Sequence, residues 1–281
     1  MVGNKIAILS GKGGTGKTFV SVNLANVAKP SVYCDCDVEE PNGHLFFQPE
    51  NIKIDKVYTT IPVIDEKLCN GCRKCVDFCR FHALLYLKHK PLVFKESCHA
   101  CGGCAMVCPQ HAITEEKREI GHIEMGVSNH VNVISGILNL GEVSGVPIIH
   151  KIYEKAEIFG QTIFVDCPPG SDCSVIESVT DADCCVIVVE QTLFGFHNFK
   201  MVHELVSELD KPCCVIINKY ECPFPPIEEY CKQYHIPIIA RLPFDKDIAN
   251  LTSQGIIDSE VIPHVRETFL DIYQKIGECM Q

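Results

Sequence analysis

Nine residues near the start, Ser10-Gly11-Lys12-Gly13-Gly14-Thr15-Gly16-Lys17-Thr18, constrain this chain more than any other stretch. They follow a short apolar run, Ile6-Ala7-Ile8-Leu9, and open an apolar-periodic segment over 19–27, which reads as strand, glycine loop, helix. The pattern G-x-x-x-x-G-K-T is that of a P-loop, in the context a P-loop requires. Glycines let consecutive backbone N–H groups turn inward around a phosphate chain, and the helix behind them points its positive end at the same anion. Lys17 is placed to reach the β- and γ-phosphates, and the Thr18 hydroxyl to ligate Mg²⁺. The expected nucleotide-binding residues are Gly11, Lys12, Gly13, Gly14, Thr15, Gly16, Lys17, Thr18 and Phe19. The competing reading, a glycine-rich turn with a chance lysine, leaves the full motif and its flanks unexplained.

Two further apolar runs end in acid. Residues 31–34 lead into Asp35-Cys36-Asp37, and 162–165 into Asp166-Cys167-Pro168-Pro169-Gly170. A hydrophobic strand ending in aspartate is a Walker B element, so Asp166 is expected to hold Mg²⁺ through water. The competing reading of the first acidic stretch is an ordinary strand exit.

Lys12 adds a second lysine inside the loop, which an ordinary P-loop does not need. With it the chain resembles the deviant Walker A family of MinD, ParA and Mrp ATPases and the nitrogenase iron protein, within the CobQ/CobB/MinD/ParA nucleotide-binding group. The resemblance implies that Lys12 reaches across a two-fold dimer to the partner's nucleotide. It implies that Asp37 positions or activates the attacking water and that Asp35 holds the Mg²⁺ shell. It makes the Asp-x-Pro-Pro-Gly stretch ending at Gly170 a γ-phosphate-sensing switch. It also implies that Asn218 contacts the purine and that the loop around Pro243 covers adenine. Glu221 stands where a guanine-specific N-K-x-D motif would place aspartate, which favours adenine. The catalytic set is then Lys12, Lys17 and Asp37, with Thr18, Asp35 and Asp166 around Mg²⁺.

Nineteen cysteines are unusual in such a chain. In a cytosolic ATPase they point to metal or redox work rather than disulfides. Eight fall in two runs, Cys69-x₂-Cys72-x₂-Cys75-x₃-Cys79 and Cys98-x₂-Cys101-x₂-Cys104-x₃-Cys108-Pro109. Each has the bacterial ferredoxin spacing for a [4Fe–4S] cluster, whose fourth cysteine serves the other cluster. One predicted ligand set is therefore Cys69, Cys72, Cys75 and Cys108; the other is Cys98, Cys101, Cys104 and Cys79. Zinc sites instead pair two C-x₂-C knuckles across a long spacer. The runs form a repeat in which His82 matches His111 and Ala83 matches Ala112. Both histidines read as turn or packing residues, since each run already supplies four thiolates. Arg80 replaces the proline that usually follows the fourth cysteine. Cys173 sits just past the second switch, where a redox role competes with that of a small core residue. The pairs Cys184-Cys185 and Cys213-Cys214 lie in apolar runs, where alternation sends neighbours to opposite faces.

The net charge of −11 argues against nucleic acid or anionic membrane as the main partner. Residues 61–117 run against that trend, with eight Lys/Arg and six Asp/Glu. No apolar stretch reaches the length of a membrane span, and the opening residues lack a secretory leader pattern, so the expected location is the cytoplasm. The final segment has helical apolar spacing but too few cations for an interfacial helix, and is expected to dock on the domain.

The expected fold is a doubly wound, mostly parallel α/β P-loop sheet over 1–60 and 118–281, with a two-cluster ferredoxin-like α+β insert over 61–117. The expected function is ATP hydrolysis that gates electron transfer through two [4Fe–4S] clusters. The alternatives are a metal or iron–sulfur cluster assembly or carrier factor, or a ParA/MinD-like positioning ATPase. The expected partners are ATP, a second copy or a paralogous ATPase, and a redox or metallocluster protein.

Overall fold

A computed structural model describes residues 3–280. In chain order, β1 (Lys5–Leu9) runs into α1 (Lys17–Val27), and β2 (Ser31–Asp35) into α2 (Gly43–Phe47). A long strand, β3 (Glu50–Ile64), leads out to a small module of α3 (Lys74–Phe78), β4 (Leu84–Leu87), β5 (Lys90–Val93) and α4 (Gly103–Met106). The chain returns along an equally long β6 (Ile113–Ser128) and re-enters the sheet as β7 (Val131–Leu138). Then α5 (Val146–Ala156), β8 (Thr162–Asp166), α6 (Cys173–Thr180), β9 (Cys184–Glu190), α7 (Leu193–Glu208) and β10 (Cys213–Tyr220) alternate. The chain closes with α8 (Pro225–Gln233), β11 (Ile238–Pro243), α9 (Lys246–Ser253), α10 (Asp258–Val261) and α11 (Pro263–Cys279).

Nine strands form one sheet in the order β11-β10-β9-β1-β8-β2-β7-β6-β3. The seven from β11 to β7 are parallel, and β6 and β3 are antiparallel additions at one edge. Parallel strands need both faces covered, and the alternation of side chains shows how. Ile6 and Ile8 of β1 join the core layer under α1 and α11, whereas Ala7 and Leu9 join the layer under α5, α6 and α7. The vicinal cysteines divide in the same way, with Cys184 and Cys214 in the first layer and Cys185 in the second. The last helix lies on the domain as expected, burying Val265, Phe269, Ile272 and Ile276.

One feature departs from the sequence reading. The stretch from residue 136 reads as loop, yet Gly136, Ile137 and Leu138 continue β7. Gly136 is needed there because a Cβ would lie 2.7 Å from Val38 Cγ1. The strands β3 and β6 pair from Glu50 opposite Val127 to Ile64 opposite Ile113, with register shifts between Glu50 and Lys53 and between Val57 and Tyr58, and so run through positions 61 and 117. Because β6 pairs with β7 only over Gly121–Ser128, the outer half of the ribbon stands beyond the sheet and carries the cysteine module on its end. The run of charged residues over 115–119 leaves no apolar period from which to read a strand.

The docking of α11 gives a direct test. Ile272→Ala should cost about 2–5 kcal/mol of stability, read as a lower midpoint in urea; no change would place the helix off the domain.

Candidate functional site

The three central strands bring the acidic and basic residues of three distant segments together. Asp35 on β2 lies in register with Asp166 on β8, and Ile8 on β1 with Asp166 on the other side. Lys17, at the start of α1, sends its Nζ to Asp166 Oδ1 at 2.5 Å. Tyr33 donates its hydroxyl to Asp166 Oδ2 at 2.9 Å. Asp35 accepts from the backbone N–H groups of Asn42 at 3.0 Å and Gly43 at 2.8 Å, which fixes the turn into α2. Lys17, Tyr33, Asp35 and Asp166 are all buried, and Asp37 is half-buried beside them.

The electrostatics follow from this crowding. Burial alone would push Lys17 down, but Asp166, with Asp35 and Asp37 behind it, holds the ammonium above the ordinary lysine value. Burial, helped by the charge of Asp166, raises Asp35 to about 7. Burial likewise raises Asp37 to about 6, against the pull of Lys17. Three carboxylates face one ammonium, so the site has an excess of oxygen ligands suited to a hard cation. Asp35 and Asp166 fit the Mg²⁺ position; the Thr18 backbone is set by the first turn of α1, with its carbonyl accepting from Ser21.

The loop itself is held from below. Asn218 donates to the Thr15 carbonyl at 2.7 Å, and Lys219 to the Gly14 carbonyl at 2.8 Å. The Thr15 hydroxyl is buried with no partner among the described residues, a polar atom left for a ligand. Gly16 has φ 94° and no room for a side chain, because a Cβ would collide with the Asn218 amide. Gly11 is equally confined, with a Cβ falling 2.5 Å from Asn198. Gly13 and Gly14 face open space, where a phosphate chain would lie. Gly170 donates its N–H to the Ser10 carbonyl at 3.0 Å, tying the second switch to the loop. Beside Gly16 a cavity of about 450 Å³ is lined by Phe19, Asn218, Pro243, Phe244 and residues of α11, in the position expected for a base.

Lys12 pairs with Glu190 of its own chain and lies 5.6 Å from the Phe194 ring centroid. Lys219 reaches the same Glu190 at 3.7 Å. The two lysines hold the Glu190 carboxyl below its usual range although burial opposes them. Sequence reasoning missed Tyr33 and the role of Glu190. The signal for Tyr33 was available, since it stands two residues before Asp35 and so on the same face of its strand. Glu190 stands out only by its place at a strand end before Gln191-Thr192, which resembles a family motif at the mouth of the site; its pairing with Lys12 and Lys219 gave no local signal, because those partners are remote in sequence.

In the module every one of the eight run cysteines is a free thiol. Cys69, Cys72, Cys75 and Cys108 line one cavity, and Cys79, Cys98, Cys101 and Cys104 another, of about 220 Å³. The first is tighter, about 20 Å³ by the same measure. Among the described residues no three His, Cys, Asp or Glu side chains close on a single metal ion. The repeat is also conformational. Gly71 and Ala100, Arg73 and Gly102, and His82 and His111 all have positive φ at equivalent places. Those turns let cysteines three residues apart face one side, and they make both histidines turn residues. Burial raises Cys104 to about 11, with Cys98 and Cys101 adding repulsion, and raises Cys75 in the same direction. Four thiols lining one cavity are a donor set suited to an iron–sulfur cluster. Cys173 is exposed at the start of α6.

Two outcomes check this geometry. Gly16→Ala should abolish detectable ATP binding by calorimetry, and retained affinity would contradict the loop packing. Asp35 binds its proton more tightly folded than unfolded, so ionising it weakens the nucleotide-free fold as pH climbs from the ordinary carboxylate range through about 7. Asp35→Asn should therefore flatten that decline in thermal midpoint; an unchanged pH profile would contradict the burial argument.

The comparisons with known proteins agree with this arrangement. The family profile of the CobQ/CobB/MinD/ParA nucleotide binding domain matches residues 6–257. Uncharacterized protein MJ0578 of Methanocaldococcus jannaschii is 34% identical over 98% of this chain and 96% of its own. Uncharacterized protein MJ0579 of the same organism is 28% identical over 89% of each. Among solved structures, the Pyrococcus furiosus cell division ATPase MinD superposes with a TM-score of 0.62 at 16% identity, covering 98% of this chain and 99% of its own. MinD from Pyrococcus horikoshii, complexed with Mg-ADP, gives 0.59 at 17% identity over 98% and 96%. At those identities the structures speak for the fold alone. No described helix is long and apolar enough to cross a membrane. With its P-loop, its converging aspartates and a profile match over most of its length, the chain belongs to the CobQ/CobB/MinD/ParA nucleotide-binding family of P-loop ATPases.

Proposed function

We propose that this protein is an ATP-hydrolysing switch that governs electron transfer through two [4Fe–4S] clusters held by the cysteine module. The observation that carries the proposal is the partition of the eight thiols. Each of two cavities is lined by one of the two sets that the crossed ferredoxin ligand rule pairs, and by no thiol of the other set. The proposed domain division follows the same line, with the module on the tip of the β3–β6 ribbon and the ATPase body on either side of it in sequence.

In the ATPase step, the loop amides and Lys17 bind the triphosphate, and Asp35, Asp166 and Thr18 provide the oxygens around Mg²⁺, which offsets phosphate charge. Asp37 orients the attacking water. Lys17 leaves Asp166 for the phosphates, and the N–H of Gly170 exchanges the Ser10 carbonyl for the γ-phosphate. Lys12 leaves Glu190 to engage nucleotide across a dimer with a second copy or a paralogous chain. Bound clusters would supply one-electron storage. The chain's own contribution there is to hold four thiolates per site, screen them from one another with lysines and arginines, and present them on an arm to a partner with acidic surface.

A second reading, a positioning ATPase of the MinD or ParA kind, is favoured by the likeness to MinD along nearly the whole chain. Iron decides between them. Anaerobically purified protein should carry about eight irons per chain. Cys101→Ser should remove one cluster's EPR signal with ATP binding kept, and Lys17→Ala should abolish turnover with the iron kept. Iron-free protein with full ATPase activity would instead support the positioning reading.

A further inference from the structure

We propose that Arg118 is the strut that couples the nucleotide-sensing segment after β2 to the cysteine module, an inference that rests on reading the protein as a nucleotide switch. The relay begins one residue past Asp37. Val38 is buried, and its carbonyl accepts from the N–H of Leu138 at 2.9 Å. Its side chain is seated against Gly136 and Gly145, and neither position has room for a Cβ. A displacement of the Asp35–Asp37 segment therefore shifts the end of β7 and the loop that follows, because a close-packed contact of this kind does not deform continuously.

That loop grips the ribbon twice. Asn139 donates its N–H to the Ile120 carbonyl at 2.9 Å. Glu142, three residues on, accepts from Nη2 of Arg118, while Nη1 of the same guanidinium donates to the Lys95 carbonyl. Lys95 opens a 3-10 turn, Lys95–Ser97, directly before Cys98. One planar fork thus joins the loop above the nucleotide site to the turn that leads into the second cysteine run. The side chains of Arg118 and Glu142 are 20% and 10% exposed, so solvent screens the pair weakly. Lysine has a point charge and no rigid fork, and does not hold both partners in this geometry. Lys56, the neighbouring cation on the ribbon, pairs with Glu119 within the ribbon itself and carries nothing to the body.

The test is hydrogen–deuterium exchange on the full, anaerobically purified chain, with and without ATP and Mg²⁺. In the natural protein, nucleotide should change exchange across residues 95–104. Arg118→Lys should keep thermal stability and ATP affinity but lose about fivefold or more of that response, the lower end of ordinary site-to-site coupling. Glu142→Gln should do the same, and combining the two should add nothing further, as expected of partners in one contact. A full response in both single variants would overturn the strut, and so would ATP binding to the natural protein with no response at 95–104. Failure to bind ATP would overturn the switch reading and the strut together. Iron content of the same samples judges the clusters separately.

Discussion

A buried lysine between buried aspartates sits at the middle of the sheet, and most of the molecule is arranged to permit it. Taking an ammonium and a carboxylate out of water costs several kcal/mol for each ion unless geometry and further hydrogen bonds compensate. Here Tyr33 satisfies the second oxygen of Asp166, and the turn into α2 satisfies Asp35. The compensation is still incomplete, as the upward push on Asp35 records. A site with surplus carboxylate and a loop of inward amides is arranged for a cation and an anion arriving together, which is what a metal nucleotide is. In the proposed ATPase step, the Lys17–Asp166 pair is the resting arrangement that gives way when phosphate enters.

The same reasoning explains why Lys12 rests on Glu190. A flexible cation at the mouth of a loop needs a counter-charge when no phosphate is present, and Glu190 is shared with Lys219, which also braces the loop from beneath. The site is therefore linked by charge to β9 and β10, and by backbone to β2 and β8.

The cysteine module stands in contrast. Its core is built on Cys75, Leu84 and Ile113, with partly buried cysteines packed around them. So small a core supplies little stability without a staple. Thiols fill the places that aliphatic side chains would occupy in an ordinary domain, and they repel one another when ionised. The long ribbon keeps this module off the body of the sheet while β7 keeps its root in register. Spacing and attachment are thus achieved by one pair of strands.

Local patterns were legible without coordinates. The P-loop, the strand-terminal aspartates, the two cysteine runs and the docked last helix are each encoded in neighbouring residues, because backbone turns, strand alternation and ligand spacing act over a few positions. The ribbon was not legible, since its charged run over 115–119 resembles an exposed loop until a partner strand is known. Nor were Glu190 under two lysines, or Arg118 between Glu142 and Lys95, which join residues far apart in the chain. Sequence alone determined which chemistry each segment can offer, because chemistry resides in residue types at short spacing. Tertiary structure decided which of those groups meet, because long-range charge pairing depends on strand order and register, and neither is written in any one segment.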